Sequence, residues 1–354
     1  MGLSAGVHQV SAGAAPRDAI THHLFAAREV IRGMGLRSEL FTEEGRIHPG
    51  LIRDVHPHTA WTRFARPGDV AILHYSIASP AFFWMLDRGV RCAIHYHNIT
   101  PAELLWEDAP AIALECALGR RRLSELAGRM HGVAAVSAFN AAELEALGFG
   151  EASVLGVMRP PLPAATRRPR ESGSPLRLLF VGRGVPNKAQ HHLIPALAAL
   201  GQAGAEAELW LVGTWEGVPA YERRCRALAA RLGVEGRVRF TGSVEEDELA
   251  QAYADADCFV CLSDHEGFCM PALEAMGGSL PIVAYAAGAL PETVGRAGLV
   301  LEEKPPSLVA EAVLEAVGNA RLATAMAAGR RQQLDRYSPE AMAANLRAFV
   351  EGLA

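Results

Sequence analysis

Lysine is nearly absent from this chain: of its 34 basic residues two are lysines, Lys188 and Lys304, and the remaining 32 are arginines. Against 39 acidic residues the basic set leaves a net charge of −5, which gives no reason to expect nucleic acid as a partner. No apolar run approaches the roughly 18 residues that a transmembrane span needs. Six cysteines are too few for a disulfide scaffold, and we expect them to be reduced.

The remaining composition is that of an ordinary soluble globular protein, with 50% hydrophobic and 21% charged residues in a chain of 354. At roughly 100 to 200 residues per domain, this length predicts two domains. The first residues, up to Asp18, lack the regions of a secretory signal, so we expect a cytoplasmic protein. Peripheral attachment at the inner membrane face is the alternative.

Short β-rich runs alternate with amphipathic helical patterns throughout the second half. The runs begin at Leu176, Glu208, Val238, Cys258, Pro281 and Gly298. Strict alternation of strand and helix indicates βαβ units, which build a parallel sheet covered on both faces. We therefore predict a doubly wound, Rossmann-like α/β domain over residues 176–337.

The first half follows the same pattern with longer loops, and it predicts a second Rossmann-like domain over residues 1–162. Its strand candidates begin at His8, Val70, Arg91, Gly132 and Ala152, with a helix from Pro16 to Met34. Residues 163–175 are rich in proline and arginine, so we interpret them as a linker. Ser338 as N-cap and Pro339 at the first helical position predict a terminal helix over 338–354.

Two carboxylates stand eight residues apart after a predicted buried strand. Glu266 lies in the loop that follows the strand, and Glu274 lies near the end of the first turn of a helix. Between them, Gly267, Phe268 and Cys269 bring backbone amides to the helix N-terminus, where the macrodipole favours an anion. Carboxylates that accept from hydroxyls and amides that hold phosphate oxygens fit a polyhydroxy ligand bearing phosphate. That Glu274 only complements the helix dipole is the open alternative.

A second strand, glycine turn and helix hold the cations Arg183 and Lys188. An arginine acts as a planar fork and a lysine as a point charge, so the two could meet one phosphate pair. The alternative is a solvated loop with two ordinary cations. The spacing from Gly182 misses the third glycine of the dinucleotide fingerprint, which argues against NAD. Lys304 lies in a loop with no motif around it.

The spacing Cys258-x-x-Cys261 is typical of metal ligands, but no second pair follows it. We therefore predict no metal site.

These motifs together resemble the GT-B-fold glycosyltransferase family 4, the retaining enzymes that use nucleotide sugars. EGFCMPALEAM carries the resemblance, with VGRGVPNK and VRFTGSV before it and GALPETV after it. The match covers most of the second domain, whereas in the first only HYHNITP and VSAFNAAEL are similar to segments of some bacterial members. The resemblance implies two Rossmann-like domains facing across a cleft, with the terminal helix packed back on the first domain.

For function, the resemblance implies metal-independent transfer of a sugar from a nucleotide-diphosphate donor to a hydroxyl acceptor, with no further cofactor. The acceptor would be a saccharide, a lipid-linked saccharide or a small molecule. Glu266 and the three amides after it would bind the donor sugar, and Glu274 the ribose. Arg183 and Lys188, beside the turn at Gly182, would hold the diphosphate.

Three further implications concern the base, the helix start and the acceptor. The turn at Gly242, Ser243 and Val244 would contact the base. Cys269 stands where the family usually has glycine, so a backbone angle suited to glycine would alter the donor pocket.

His97 ends a strand of the first domain, where members often carry a histidine near the acceptor. The alternative is a core histidine. The loop that contains Gly13 and Asp18 resembles the family's glycine-rich acceptor loop, although Gly13 has no paired glycine.

Two other functions stay open at this point. One is a binding module of the same fold that has lost catalysis. The other is a nicotinamide oxidoreductase, which lacks its fingerprint.

Overall fold

The computed structural model describes residues 6–16, 18–159, 162, 165 and 173–353, and these form two compact units. The first unit comprises the described residues of Met1–Ile99, Leu114–Pro160 and Tyr337–Ala354. The second comprises those of Thr100–Ala113 and Pro161–Arg336. Thr100–Ala113, which the sequence assigned to the first domain, thus groups with the second unit. The predicted linker, 163–175, lies mostly outside the described residues.

A seven-stranded parallel sheet forms the centre of the first unit. Its strands are β1 (Val7–Ser11), β2 (Leu40–Thr42), β3 (Val55–Pro57), β4 (Val70–Tyr75), β5 (Arg91–Tyr96), β6 (Gly132–Ala135) and β7 (Ser153–Val154). They lie in the order β3-β2-β1-β4-β5-β6-β7. The order reverses between β1 and β4, and in such sheets ligands bind beyond the carboxyl ends of the strands at that point.

Helices connect these strands, as parallel pairing requires. They are α1 (Ala19–Gly33), α2 (Trp61–Phe64), α3 (Pro80–Asp87), α4 (Pro110–Ser124) and α5 (Ala138–Ala146). The strands β2 and β3 were not predicted, because three residues are too few to show a period.

The second unit is built on a six-stranded parallel sheet. Its strands are β8 (Leu176–Val181), β9 (Ala207–Val212), β10 (Val238–Gly242), β11 (Cys258–Cys261), β12 (Ile282–Tyr285) and β13 (Leu299–Leu301). They lie in the order β10-β9-β8-β11-β12-β13, which reverses between β8 and β11. Each of the six predicted runs overlaps one of these strands. The predicted fold class, two Rossmann-like α/β units, is confirmed.

The helices of the second unit are α6 (Gln190–Gln202), α7 (Pro219–Arg231), α8 (Glu246–Asp255), α9 (Met270–Gly277), α10 (Leu290–Val294), α11 (Pro306–Gly318) and α12 (Ala320–Arg336). Short 3-10 turns occur in both units, at Pro49–Leu51, His58–Ala60, Ala102–Leu104, Pro186–Lys188, Glu235–Arg237 and Gly295–Ala297. No helix within the described ranges combines the length and the apolar character that a membrane crossing requires.

The terminal helix, α13 (Pro339–Gly352), completes the core of the first unit. It begins as predicted, because the Ser338 hydroxyl accepts the N–H of Ala341 over 3.2 Å. Its apolar face packs with β1, α1 and β4 through Met342, Leu346, Phe349 and Val350. Arg91 of β5 also donates to the carbonyl of Leu353 over 2.9 Å. The terminal helix therefore packs back on the first unit, as expected.

Candidate functional site

The loops that follow β8 and β11 meet where the order of the second sheet reverses. Lys188 lies at the end of the first loop and Glu266 in the second, 78 residues later. The Lys188 ammonium donates to Oε2 of Glu266 over 2.6 Å. The backbone N–H of Asp264 donates to the carbonyl of Asn187 over 2.8 Å, which joins the two loops a second time. Two predicted site residues are thus in direct contact.

The environment of Lys188 keeps its side chain charged. Burial disfavours the ammonium, but the charge and the hydrogen bond of Glu266 outweigh burial and raise the pKa of Lys188. A quarter of the Lys188 side chain is exposed, against 8% for Glu266. An ammonium carries three N–H groups, so the group that bonds Glu266 leaves two for a ligand.

Glu266 is fixed through both its carboxylate and its backbone. The Ser263 hydroxyl donates to Oε1 over 2.8 Å, so each carboxylate oxygen has a partner. The Glu266 carbonyl accepts the N–H of Ala289 over 2.8 Å. A Cβ on Gly288 would overlap this carbonyl, and Gly288 has a φ of +57°, so glycine is required there. The GALPETV turn therefore holds the Glu266 loop in place.

Lys304, interpreted from sequence as a residue without a motif, belongs to the same loop arrangement. Its ammonium lies 2.5 Å from Oδ1 of Asp264 and donates to the carbonyl of Leu262 over 2.9 Å. It also lies 4.4 Å from the centre of the Tyr285 ring. The interpretation was therefore wrong, because the partner residues are 40 and 42 positions away in sequence. Both lysines of the chain bind the loop after β11.

Three glycine turns line the same edge of the sheet. The N–H of Gly182 donates to the carbonyl of Val212, and the N–H of Gly213 donates to the carbonyl of Gly242 over 3.0 Å. A Cβ on Gly213 would overlap the Gly182 carbonyl, so only glycine allows these backbones to approach. Gly242 has a φ of +71° and is half-buried, and it leads into Ser243, which is exposed, and Val244. The turn predicted to hold the diphosphate and the turn predicted to contact the base therefore lie close together.

Arg183 lies in the turn after Gly182, and its side chain is exposed. Within the part of the chain that the structure describes, its guanidinium forms no ion pair. Its carbonyl accepts from the side-chain amide of Gln190 over 2.8 Å, which fixes the backbone of the turn. An exposed guanidinium on a fixed backbone is able to turn toward an anion at this edge.

Helix α9 positions the remaining residues that the sequence predicts to bind a nucleotide sugar. Cys269 is its N-cap, with a φ of +68°, so the predicted glycine-like angle occurs at this cysteine. Half-buried Gly267 and buried Phe268 precede it, and the Phe268 carbonyl accepts from the Thr293 hydroxyl over 2.6 Å. Glu274 lies one turn into the helix, where Oε2 accepts the hydroxyl of Tyr253 over 2.7 Å. That contact orients the Glu274 carboxylate.

The predicted acceptor-loop residues of the first unit, Gly13 and Asp18, lie between β1 and α1. Asp18 caps α1: its Oδ2 accepts the N–H of Thr21 over 2.8 Å and the Thr21 hydroxyl over 2.9 Å. The carbonyl of Gly13 accepts from Ser11 over 2.9 Å. Helix capping is thus the contact that the structure shows for the Asp18 carboxylate.

His97 directly follows β5 and belongs to a group of four histidines with His23, His74 and His95. Its Nε2 lies 2.9 Å from Nδ1 of His74, whose Nε2 lies 2.6 Å from the amide oxygen of Gln9. Burial lowers the pKa of all four imidazoles, that of His23 to about 4. The group is therefore neutral at pH 7.

Sequence reasoning missed most of this histidine group and the residues that support Glu266. Ten of the 13 histidines lie before residue 132, and His95-x-His97 at a strand end was a usable signal. Ser263, Tyr253 and Lys304 carried no local signal, because each acts through a residue distant in sequence or through an ordinary hydrogen bond.

Comparison with known proteins finds similarity to a glycosyltransferase family over much of the second unit. The family model described as "Glycosyl transferases group 1" matches residues 175–319. A GDP-mannose-dependent alpha-(1-6)-phosphatidylinositol monomannoside mannosyltransferase of Mycobacterium tuberculosis is 34% identical over 225 residues, 58% of this chain and 57% of the relative. A D-inositol 3-phosphate glycosyltransferase of Corynebacterium efficiens is 36% identical over 155 residues, 42% of this chain and 37% of the relative. The chain thus matches about half or less of the length of these relatives.

Solved structures resemble the whole chain in fold. A glycosyltransferase from Rickettsia africae has a TM-score of 0.73 at 14% identity, covering 99% of each chain. Anabaena HepE, solved in complex with UDP-glucose, has a TM-score of 0.73 at 18% identity, covering 98% of this chain and 99% of its own. Together with the two parallel sheets, these likenesses establish the GT-B fold.

The left-handed backbone at Cys269 predicts that glycine is more stabilising than alanine at this position, the reverse of the usual order. Cys269→Gly should have a higher Tm than Cys269→Ala, because both remove the thiol and only glycine removes the strain of a positive φ, about 1 kcal/mol. Thermal denaturation of the two variants measures the difference.

Cys258, buried in the extended backbone of β11, provides the matched control. There glycine should be the less stable variant, by roughly 0.5 to 1 kcal/mol. The same order of Tm at both positions would contradict the strain at Cys269.

Proposed function

We propose that this chain transfers a sugar from a nucleotide-diphosphate sugar to a hydroxyl acceptor, because its residues 175–319 match the family model described as "Glycosyl transferases group 1". Lys188 paired with Glu266 at the point where the second sheet reverses is the observation that carries the proposal. The GDP-mannose-dependent relative and the UDP-glucose complex of HepE support a nucleotide-sugar donor without selecting the base.

In the proposed reaction the leaving nucleoside diphosphate gains negative charge as its bond to the sugar breaks. Lys188 supplies a fixed ammonium with two further N–H groups, and Arg183 supplies an exposed guanidinium on the same turn. A cation fixed before the reaction stabilises this charge without reorganisation. The two residues therefore carry the diphosphate role in our proposal.

Recognition of the rest of the donor falls to the two glutamates and the glycine turns. Glu266 is held by Lys188 and Ser263, so its remaining lone pairs are positioned to accept from sugar hydroxyls. Glu274, oriented by Tyr253, accepts from the ribose hydroxyls. The half-buried turn at Gly242 contacts the base.

We further propose that transfer retains the configuration of the anomeric carbon and that His97 acts on the acceptor. Both oxygens of Glu266 already accept hydrogen bonds, and one partner is a cation, so this carboxylate is a poor nucleophile. A same-face displacement, in which the acceptor enters on the side that the diphosphate leaves, needs no enzyme nucleophile. Release of free nucleotide from a sugar nucleotide distinguishes such an enzyme from a pure binding protein.

Calorimetry on two glutamate variants tests the donor assignment. Glu274→Ala should weaken the binding of a nucleotide sugar and of the matching nucleoside diphosphate equally, since both contain the ribose. Glu266→Ala should weaken the binding of the nucleotide sugar far more than the binding of the diphosphate. Each lost charge-assisted contact should cost about 1.5 to 3 kcal/mol of binding free energy.

GDP-mannose with GDP, and UDP-glucose with UDP, are the ligand pairs for this titration. The exposed Glu303→Ala is the control and should bind like the unmodified protein. The reverse pattern for the two variants would mean that their roles are exchanged.

A kinetic prediction concerns the shape of the cation at position 188. Lys188→Arg should lose about 10-fold to 100-fold in kcat/KM, equivalent to roughly 1.4 to 2.7 kcal/mol in the transition state. A guanidinium would reach both oxygens of Glu266 and displace Ser263, and its remaining N–H groups would be fixed in the plane of that pair instead of being free to turn toward phosphate. Steady-state kinetics with the donor varied measures the loss.

Two controls separate cation shape from support of the loop. Arg231→Lys, on an exposed position of α7, should leave kcat/KM unchanged. Lys304→Arg should lower Tm through Asp264 but reduce kcat/KM less than Lys188→Arg does. Equal kinetic losses at both lysines would show that position 188 only supports the loop.

Turnover should survive chelation, because the proposed phosphate contacts are Arg183, Lys188 and backbone amides rather than a metal ion. Initial rates with and without excess EDTA should agree. Complete loss of turnover in EDTA, restored by Mn²⁺, would contradict this part of the proposal.

A further inference from the structure

Four imidazoles converge at the carboxyl edge of the first sheet, where the order of strands reverses. His74 comes from the end of β4, His95 from β5, His97 from the residue after β5, and His23 from α1. One ring nitrogen from each lies within 4.8 Å of the nitrogens of the other three. His23, His74 and His95 are each 1% exposed, so the group is largely shielded from solvent.

Two nitrogens of this group are buried without a hydrogen-bond partner among the described residues. They are Nε2 of His23 and Nε2 of His95. A buried polar nitrogen left unpaired costs free energy, and two such nitrogens on rings of one close group indicate a ligand among them. The four side chains are imidazoles without a carboxylate, which restricts the chemistry of that ligand.

The hydrogen bonds at the edge of the group decide which nitrogens carry lone pairs. The Gln9 amide oxygen only accepts, so His74 carries its proton on Nε2 and its lone pair on Nδ1, facing His97. An acceptor that holds the outer N–H of a histidine is the usual support of a metal ligand. In His23 the lone pair is already used: Nδ1 accepts the N–H of Met158 over 3.0 Å, so the proton is on Nε2 and this ring can only donate to a ligand.

We propose that His74, His95 and His97 bind a divalent transition-metal ion and that His23 donates its Nε2–H to a further ligand on that ion. Neutral imidazoles suit Zn²⁺, Co²⁺, Ni²⁺ and Cu²⁺, whereas Mg²⁺ and Ca²⁺ require oxygen ligands. At metal–nitrogen distances of about 2.0 to 2.1 Å, tetrahedral ligands lie about 3.4 Å apart, so small side-chain rotations close the site. To bind the ion, His97 would carry its proton on Nδ1 instead of on Nε2, the nitrogen that faces Nδ1 of His74.

This site goes beyond the proposed transfer reaction, because it uses only residues of the first unit. An ion on His97 would occupy a ring nitrogen of the residue that we propose acts on the acceptor, so metal binding should inhibit transfer rather than support it. Tolerance of EDTA in the activity assay is therefore compatible with the site. Binding itself is measured without any substrate.

The test uses the full chain without an affinity tag, stripped with EDTA and dialysed. Zn²⁺ should raise Tm and bind in a 1:1 ratio, while Mg²⁺ at the same concentration should leave Tm unchanged. Co²⁺ in place of Zn²⁺ should give the visible absorption of a low-symmetry nitrogen site. A wild-type protein with neither the Zn²⁺ shift nor the Co²⁺ band would overturn the proposal, whatever the variants do.

Variants then locate the site. His95→Gln should raise the Kd for Zn²⁺ at least about 10-fold and abolish the Co²⁺ band, and Gln9→Met should weaken binding about 10-fold to 100-fold by releasing His74. The control is His191→Gln in the second unit, where His191 and His192 also lie together, with ring centres 4.4 Å apart.

The control variant should bind like the wild type. A Co²⁺ band that persists in both His95→Gln and Gln9→Met, or disappears in His191→Gln, would place the ion elsewhere and overturn the assignment. If His95→Gln fails to fold, Gln9→Met, which keeps all four imidazoles, decides the question.

Discussion

The contact between Lys188 and Glu266 is the constraint on which the second unit's site depends. A carboxylate that is 8% exposed is costly to bury unless a cation and further donors satisfy it. Here Lys188 and Ser263 satisfy its two oxygens. The GALPETV turn meets the backbone of the same residue, so two loops and a turn are all held by Glu266.

The positions of the two lysines have their explanation in this loop. Both lysines of the chain are partly buried and bind carboxylates two residues apart, Asp264 and Glu266. A compact ammonium fits between a loop and a carboxylate where a planar guanidinium would require more room. Exposed positions, where either cation serves, are occupied by arginine.

The two units share a topology but present different chemistry at the edge where each sheet reverses. The second unit offers fixed charges and glycine turns, which suit a phosphorylated, hydroxyl-rich ligand. The first unit offers neutral imidazoles whose charged form is disfavoured by burial. In our proposals, the same α/β frame holds an anion site in one unit and a metal site with nitrogen ligands in the other.

What the sequence determined by itself was local and periodic. Alternating runs predicted all six strands of the second sheet, and Ser338 and Pro339 predicted the start of α13. The GT-B fold was implied by the family resemblance that the motif around Glu266 carries. The strands β2 and β3 were missed, since three residues show no period, and Lys304 was misinterpreted because its partner lies 40 residues away.

Only the tertiary structure decided which side chains meet. Lys188 and Glu266 are 78 residues apart, and His23, His74, His95 and His97 come from three separate elements and a loop. Parallel strands bring their carboxyl ends to one edge, but the order of the strands is set by how the crossover helices pack. Periodicity within a segment records burial and not that order, so the neighbours at the edge are fixed by packing alone.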